Sequence, residues 1–114
     1  MEYGKKYTID DKEYGLFWSV QAHIAFDSWV IQNQKATMVE GYLTKLICMI
    51  NAYNDANEAK QKPPVKEELL KRPDYVLQDI FAAVDQQEKA DSTRTVEAEP
   101  EKAKNAKSAN PSSS

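Results

Sequence analysis

The apolar side chains of residues 37–53 recur at alternating spacings of four and three, which places them on one side of an α-helix. Thr37 and Glu40 form a capping box, in which each side chain satisfies a backbone N–H at the start of a helix. The pattern predicts a central helix that begins after Thr37 and ends near residue 59. Its apolar stripe consists of Val39, Leu43, Leu46, Ile50 and Tyr53.

The chain before this helix contains two short runs that favour β-structure. Residues 6–9 alternate in polarity, and residues 13–20 contain aromatic and branched side chains. The polar residues 10–12 between them suit a turn, so the two runs predict an N-terminal β-hairpin. Gly15, inside the second run, suggests a bulge or a bend. An isolated hairpin is marginally stable in water, so we expect this one to pack on the helices.

Residues 19–33 predict a helix that is apolar on two faces, with Ser19 as its N-cap. Such a helix is either central in the fold or lies between its own core and a partner. Val20, Ile24 and Ile31 form one face, and we single them out as candidate partner-binding residues. The opposite face consists of Trp18, Ala22, Ala25, Phe26 and Trp29.

Two methionines and a cysteine widen the apolar surface of the central helix beyond its stripe. Met38, Cys48 and Met49 suit either an ordinary core or an adaptable groove for a partner segment, because methionine repacks easily. Core packing is the more common role of such residues. Met38 and Met49 nevertheless complete the set of candidate partner-binding residues. Gly41 in the same helix suggests a close approach of another helix.

Three prolines divide the chain that follows the central helix. Pro63 and Pro64 end the central helix, and residues 65–72 predict a short helix that Pro73 ends. Asp74 suits the N-cap of a last helix over residues 75–87. The predicted apolar face of this last helix consists of Leu77, Ile80, Phe81 and Val84.

The composition changes at residue 88. Residues 88–114 contain no aromatic side chain and are rich in Glu, Ala, Lys and Ser, so they cannot bury enough surface to offset their ordering entropy. We therefore predict an α+β fold, in which a small N-terminal β-hairpin packs on a mainly helical domain of three or four helices. This folded domain covers residues 1–87, and a disordered C-terminal tail covers residues 88–114.

Charge and hydropathy exclude two classes of partner. The net charge is −3, and acidic residues outnumber basic ones in residues 1–90. Nucleic-acid binding requires a patch that neutralises phosphates, whereas the basic residues between positions 60 and 72 are interleaved with Glu58, Glu67 and Glu68. No stretch approaches the roughly twenty apolar residues of a membrane span, and no signal-peptide segment is evident. We expect a cytoplasmic protein that binds neither nucleic acid nor membrane.

The residues that commonly carry catalysis are sparse. Three glycines leave no glycine-rich phosphate loop, and the single Cys48 excludes a disulfide or a thiolate zinc site within the chain. His23 is the only histidine and no nucleophile motif accompanies it, so we expect a partly buried, hydrogen-bonded side chain. Cys48 is expected to be a packed or partner-facing thiol. We predict no enzyme, no cofactor and no metal.

Two stretches of the sequence resemble a known family. Residues 6–29, KYTIDDKEYGLFWSVQAHIAFDSW, resemble the I-x-I-D/N-G-K-E-Y-x-L-x-F hairpin that opens many tail assembly chaperones of long-tailed (siphophage-type) bacteriophages. Residues 69–84, LLKRPDYVLQDIFAAV, are similar to the L-x-x-L-P segment that often closes their folded part. The resemblance covers residues 6–87 and consists of hydrophobic patterns. Asp11 stands where a turn glycine is usual in that family.

The resemblance implies a non-enzymatic protein of the host cell cytoplasm. Such a chaperone binds the hydrophobic tape measure protein, helps tail tube assembly and often self-associates, so the tail tube protein is a further expected partner. Two alternatives stay open, namely a small structural virion or head–tail connection protein and a small regulatory interaction protein. A stable ring, or incorporation into particles, would indicate the first. A salt-dependent shift on DNA would indicate a nucleic-acid-binding form of the second.

Overall fold

The structure is a computed structural model that describes residues 2–94. Within these residues, two strands precede four helices: β1 (Lys5–Ile9), β2 (Lys12–Leu16), α1 (Val20–Gln32), α2 (Met38–Asn57), α3 (Lys66–Leu69) and α4 (Asp74–Ser92). The strand β2 and the helices α1 and α4 all contact α2, and α4 also contacts β1. This arrangement confirms the predicted α+β fold of an N-terminal hairpin on a mainly helical unit.

The strands β1 and β2 pair antiparallel, with Ile9 opposite Lys12. Asp10 and Asp11 alone connect them, with φ angles of +53° and +63°. Two-residue hairpin turns of this kind require left-handed backbone at both positions, which aspartate tolerates better than most residues. The turn is therefore one residue shorter than the predicted 10–12, because Lys12 belongs to the strand. Asp11 occupies the position that glycine often holds in such turns.

The role of Gly15 differs from the predicted bulge. Gly15 pairs in regular register with Lys6, so the strand is not interrupted there. A Cβ atom at Gly15 would lie 2.5 Å from the Tyr53 ring, closer than real Cβ contacts come. The glycine therefore allows the ring of Tyr53 on α2 to pack directly against the backbone of β2.

The start of α2 confirms the predicted capping box. The Glu40 N–H donates to Thr37 Oγ1 at 3.1 Å, and the Thr37 N–H donates to Glu40 Oε1 at 2.8 Å. The helix ends at Asn57, where Glu58 adopts a left-handed C-cap with φ of +53°. Within the described residues, a Cβ atom added at Gly41 would meet no other atom within 4 Å, so the predicted close helix approach there is wrong.

The predicted stripe of α2 lies in the core. Four of its members are buried and Val39 is half-buried against them. The core continues into the hairpin through Ile9 and Leu16. The remaining buried apolar residues come mainly from the three long helices: Trp18, Ala22, Leu43, Leu46, Met49, Ile50, Ala52, Tyr53, Val76, Ile80, Ala83 and Val84.

The helices α3 and α4 differ from their predicted bounds. α3 covers Lys66–Leu69, which is shorter than the predicted 65–72. α4 begins at Asp74 with Pro73 in the N-cap position, so Asp74 lies one residue inside the helix and makes no side-chain cap. Ile80 and Val84 are buried as predicted, whereas Leu77 and Phe81 are half-buried and Val76 is buried in their place.

α4 continues five residues beyond its predicted end, to Ser92. The boundary predicted at residue 87 is therefore too early, and residues 88–92 belong to the folded domain. Residues 95–114 of the predicted tail lie outside the described residues.

Three polar residues attach the end of α4 to the rest of the fold, and we call Gln87, Glu88 and Asp91 the α4 clasp. Gln87 accepts a hydrogen bond from the Tyr7 hydroxyl at 2.7 Å and donates to Asp91 at 2.8 Å. Asp91 also accepts the Trp18 backbone N–H at 2.8 Å. Glu88 pairs with Lys45 Nζ at 2.8 Å. These contacts explain the extra helical turn, because polar tertiary bonds stabilise it where apolar residues are absent.

Candidate protein-binding surface on α1

Local capping fixes both ends of α1. Ser19 is the N-cap, as predicted, and its hydroxyl accepts the Ala22 backbone N–H at 3.0 Å. Asn33 is the C-cap, and its side-chain amide donates to the Trp29 carbonyl at 2.8 Å. Capping of this kind stabilises a short helix independently of its packing. The helix therefore needs fewer buried contacts than an uncapped helix of the same length.

The face of α1 opposite Val20, Ile24 and Ile31 packs on α2, and we call it the inner face. Its side chains are only partly buried there. Ala22 is buried and Trp18, which precedes the helix, is buried beside it. Phe26 and Trp29 are only half-buried, and Ala25 is exposed. The predicted inner face therefore exists, but it meets α2 mainly through aromatic rings.

Two lysines lie over these rings and complete the attachment of α1. Lys45 Nζ is 4.7 Å from the centroid of the Phe26 ring and 5.2 Å from that of Trp18. Lys66 Nζ lies 5.0 Å from the Trp29 centroid. Cation–π contacts of this kind contribute about 0.5–2 kcal/mol each. The sequence does not predict them, because no periodic pattern connects residues from α1, α2 and α3.

The outer face of α1 is exposed, which is one of the two arrangements that the two-faced pattern left open. Val20, Ile24 and Ile31 have relative exposures of 78 %, 63 % and 68 %. We call these three residues the outer stripe. Single exposed apolar residues are ordinary, but several on one face of a helix are typical of an interaction site. α1 thus offers an apolar surface that residues 2–94 leave exposed.

A carboxylate lies within the outer stripe. Asp27 follows Ile24 by three residues and precedes Ile31 by four, so it lies on the same side of the helix. Its carboxylate is 3.6 Å from His23 Nε2, and both side chains are exposed. The His23 ring centroid lies 5.0 Å from that of Trp18. His23 is therefore exposed, and the prediction of a partly buried histidine is wrong.

The two candidate methionines of α2 occupy different environments. Met38, the first residue of α2, is 71 % exposed and stays a candidate for partner contact. Met49 is fully buried in the core cluster, and its backbone carbonyl accepts the Phe17 N–H at 3.1 Å. Met49 therefore belongs to the core and does not contribute to an exposed partner surface.

Cys48 is half-buried on α2, in a small cavity that it shares with residues of α1, including Gln21 and Ala22. Burial raises the pKa of the Cys48 thiol, and the nearby Lys66 opposes this effect only in part. A thiol with a raised pKa stays protonated at neutral pH and is a poor nucleophile. The structure thus places Cys48 as a packed thiol, one of its two predicted roles.

A second exposed apolar patch, which the sequence did not predict, lies where α3 meets α4. Leu70 and Tyr75 are exposed on either side of Pro73, and Leu70 lines a cavity of about 200 Å³. Val39, Leu43 and Leu77 line this cavity. The bend between the two helices creates the patch, so helical periodicity within either segment could not predict it.

Among residues 2–94, no group of three or more His, Cys, Asp or Glu side chains is arranged to hold a metal ion. No helix in this part of the chain is long and apolar enough to cross a membrane.

In comparisons with known proteins, no family model, no curated protein and no solved structure matches the chain.

Proposed function

We propose that this chain is a non-enzymatic tail assembly chaperone of a long-tailed bacteriophage. In this proposal it acts in the host cell cytoplasm, binds apolar segments of the tape measure protein and releases them as tail tube subunits assemble. The tail tube protein and further copies of the chain are additional proposed partners.

The observation that carries the proposal is the outer stripe of α1. Val20, Ile24 and Ile31 are exposed on a helix whose opposite face already contacts the core. A chaperone for a long apolar protein needs such a surface, since it must shield apolar residues reversibly. The resemblance of residues 6–29 to the opening of the chaperone family supports the same function from the sequence.

The shape of the surface favours a helical partner. An apolar stripe along one helix is complementary to the apolar face of another amphipathic helix, whose anchors recur at spacings of three and four. Val20 and Ile31 are eleven residues apart, so the stripe is about 16 Å long. Three turns of a partner helix would cover it.

The proposal is tested by affinity purification of the tagged chain from phage-producing cells, followed by mass spectrometry. The chain is compared with Ile24→Asp, which places a charge in the outer stripe. Leu70→Asp is the matched control, because Leu70 is 61 % exposed and Ile24 is 63 % exposed, but Leu70 lies in the other apolar patch. Circular dichroism establishes that both variants are folded.

We expect the chain and Leu70→Asp to recover a very long, helix-rich phage protein, and Ile24→Asp to lose it. Recovery of capsid or connector proteins alone would favour a structural virion protein instead. Recovery of host proteins or nucleic acid alone would favour a regulatory function. Equal recovery of the tape measure protein by all three chains would show that α1 does not bind it.

A further inference from the structure

The charged residue of α1 indicates the chemistry of a partner more specifically than the apolar residues of the outer stripe do. α1 contains no lysine or arginine, and Asp27 is its only acidic residue. Within residues 2–94, the carboxylate of Asp27 has one ion-pair partner, His23, which is charged only when protonated. The 3.6 Å separation exceeds that of a normal hydrogen bond. A negative charge thus lies within an apolar stripe, and none of residues 2–94 places a permanent cation beside it.

A partner that covers the outer stripe must also cover Asp27, because Ile24 and Ile31 lie on either side of it. Removing a carboxylate from water without pairing it is unfavourable, whereas a paired carboxylate keeps most of its electrostatic stabilisation. An entirely apolar partner would therefore be penalised at this point. A partner with a cation there would gain both affinity and a fixed register.

A second copy of the chain fits this surface poorly. Packing two outer stripes together would bring two Asp27 carboxylates into one small interface, and like charges in an interface are destabilising. Self-association of the chain would therefore use another surface.

We infer that the outer stripe binds an amphipathic helix that carries a lysine or arginine within its apolar face, opposite Asp27. This inference rests on the proposed function and specifies which segments of an apolar partner α1 selects. The basic residue distinguishes these segments from purely apolar ones.

The inference is tested with three synthetic helical peptides of about eighteen residues. They share leucines at the spacing of one apolar face and differ only in the central residue of that face, which is lysine, leucine or glutamate. Their affinity for the full chain is measured by fluorescence anisotropy at low and high salt. The variant Asp27→Lys reverses the charge within the stripe. Asp79→Lys, on an exposed residue of α4, makes the same charge change away from it.

We expect the chain to bind the lysine peptide about tenfold more tightly than the glutamate peptide, with the leucine peptide between them. Asp27→Lys should invert this order, Asp79→Lys should preserve it, and high salt should reduce it. Should Asp27→Lys fail to fold, Asp27→Asn replaces it and should abolish the preference.

Equal affinities for the three peptides would overturn the inference while leaving the apolar docking surface intact. Failure of all three peptides to bind would also overturn it, since a central cation would then not suffice. Neither result decides the proposed function, which depends separately on recovery of the tape measure protein and on its loss in Ile24→Asp.

Discussion

α1 and α4 both pack on α2, but they use their apolar residues differently. Five of the nineteen residues of α4 are buried, including Ile80 and Val84. Ala22 is the one buried residue among the thirteen of α1, all of which the structure describes. Apolar residues on α1 that could have enlarged the core face outward instead. The comparison separates a helix that stabilises the fold from one that the fold presents to a partner.

The mode of attachment differs as well. α4 contributes aliphatic side chains to the core, and the α4 clasp ties its last turns to the hairpin and to α2. α1 rests on α2 through half-buried aromatic rings with Lys45 and Lys66 over them. A helix with few buried contacts opens at lower free energy than one in the core. We therefore expect α1 to open at a lower free energy than α4.

The largest expected effect distinguishes the two helices directly. Ile80→Ala in α4 removes a side chain that is 1 % exposed, and we expect it to lower the free energy of unfolding by about 2–5 kcal/mol. Ile24→Ala in α1 removes an exposed side chain and should change it by no more than about 0.5 kcal/mol. Urea denaturation followed by circular dichroism measures both. Similar losses would mean that α1 is as much a part of the core as α4.

The α4 clasp should account for the next largest effect. Asp91→Ala removes the acceptor of the Trp18 N–H and of the Gln87 side chain. Hydrogen bonds to a charged group contribute about 1.5–3 kcal/mol, so we expect a loss of that size in the free energy of unfolding. Asp79→Ala, in an exposed part of α4, is the control and should have little effect.

Hydrogen exchange locates this effect. In Asp91→Ala the backbone amide of Trp18 should exchange faster, because it loses its hydrogen-bond acceptor. The exchange rates of amides in the middle of α2 should change only as far as the global stability changes. Unchanged exchange at Trp18 would mean that the clasp does not hold the junction between the hairpin and α1.

Substitutions of two glycines test how closely other elements pack against α2 at two different positions. Gly15→Ala would place a methyl group against the Tyr53 ring, and we expect a loss of about 1–3 kcal/mol in the free energy of unfolding. Gly41→Ala adds a methyl group where the described chain leaves open space, and should stabilise α2 by about 0.5–1 kcal/mol. Thermal unfolding of both variants checks the opposite signs. A loss in Gly41→Ala would mean that another element approaches α2 there.

The sequence predicted those features of the fold that depend only on residues close together in the chain. The capping box of Thr37 and Glu40 needs only four consecutive residues, and the stripe of α2 needs only a constant helical period. The two apolar faces of α1 were predictable for the same reason, but the pattern suited a central helix as well as one with an exposed face, so the exposure of the outer stripe required the structure. Hairpin position, helix order and most of the candidate surface followed from such local patterns.

The failures involve contacts between distant residues. Trp18 and Asp91 are 73 positions apart, and Lys45 and Glu88 are 43 apart, so no local pattern predicted that α4 extends to Ser92. Met49 lies at the edge of the apolar stripe, where helical position allows either core or surface. Its burial in the core is a property of the assembled fold, which brings residues from distant parts of the chain together.

The smallest expected effect concerns an ion pair between Asp10 in the hairpin turn and Arg72, which lies two residues before α4. Among the described residues, α1 has no ion pair to the hairpin. Arg72 donates to Asp10 through Nε at 2.8 Å and through Nη2 at 2.6 Å. The hydrogen bond from Arg72 holds the pKa of Asp10 below its ordinary value of 3.8. A carboxyl with a lowered pKa in the folded state stabilises that state above its unfolded pKa, and the contribution disappears as pH falls through the folded value.

Arg72→Ala removes this contribution, and its effect should depend on pH. At neutral pH the chain should be slightly more stable than the variant, since exposed ion pairs contribute little. The difference should begin to shrink below about pH 4, where the carboxyl of Asp10 becomes protonated in the unfolded chain, and should vanish once the pH falls below the lowered pKa of Asp10 in the folded chain. Urea midpoints of both proteins between neutral and acidic pH measure it, with Lys71→Ala as a control that removes a neighbouring charge. A constant difference over this range would mean that Arg72 acts through packing against α3 and α4, and not through Asp10.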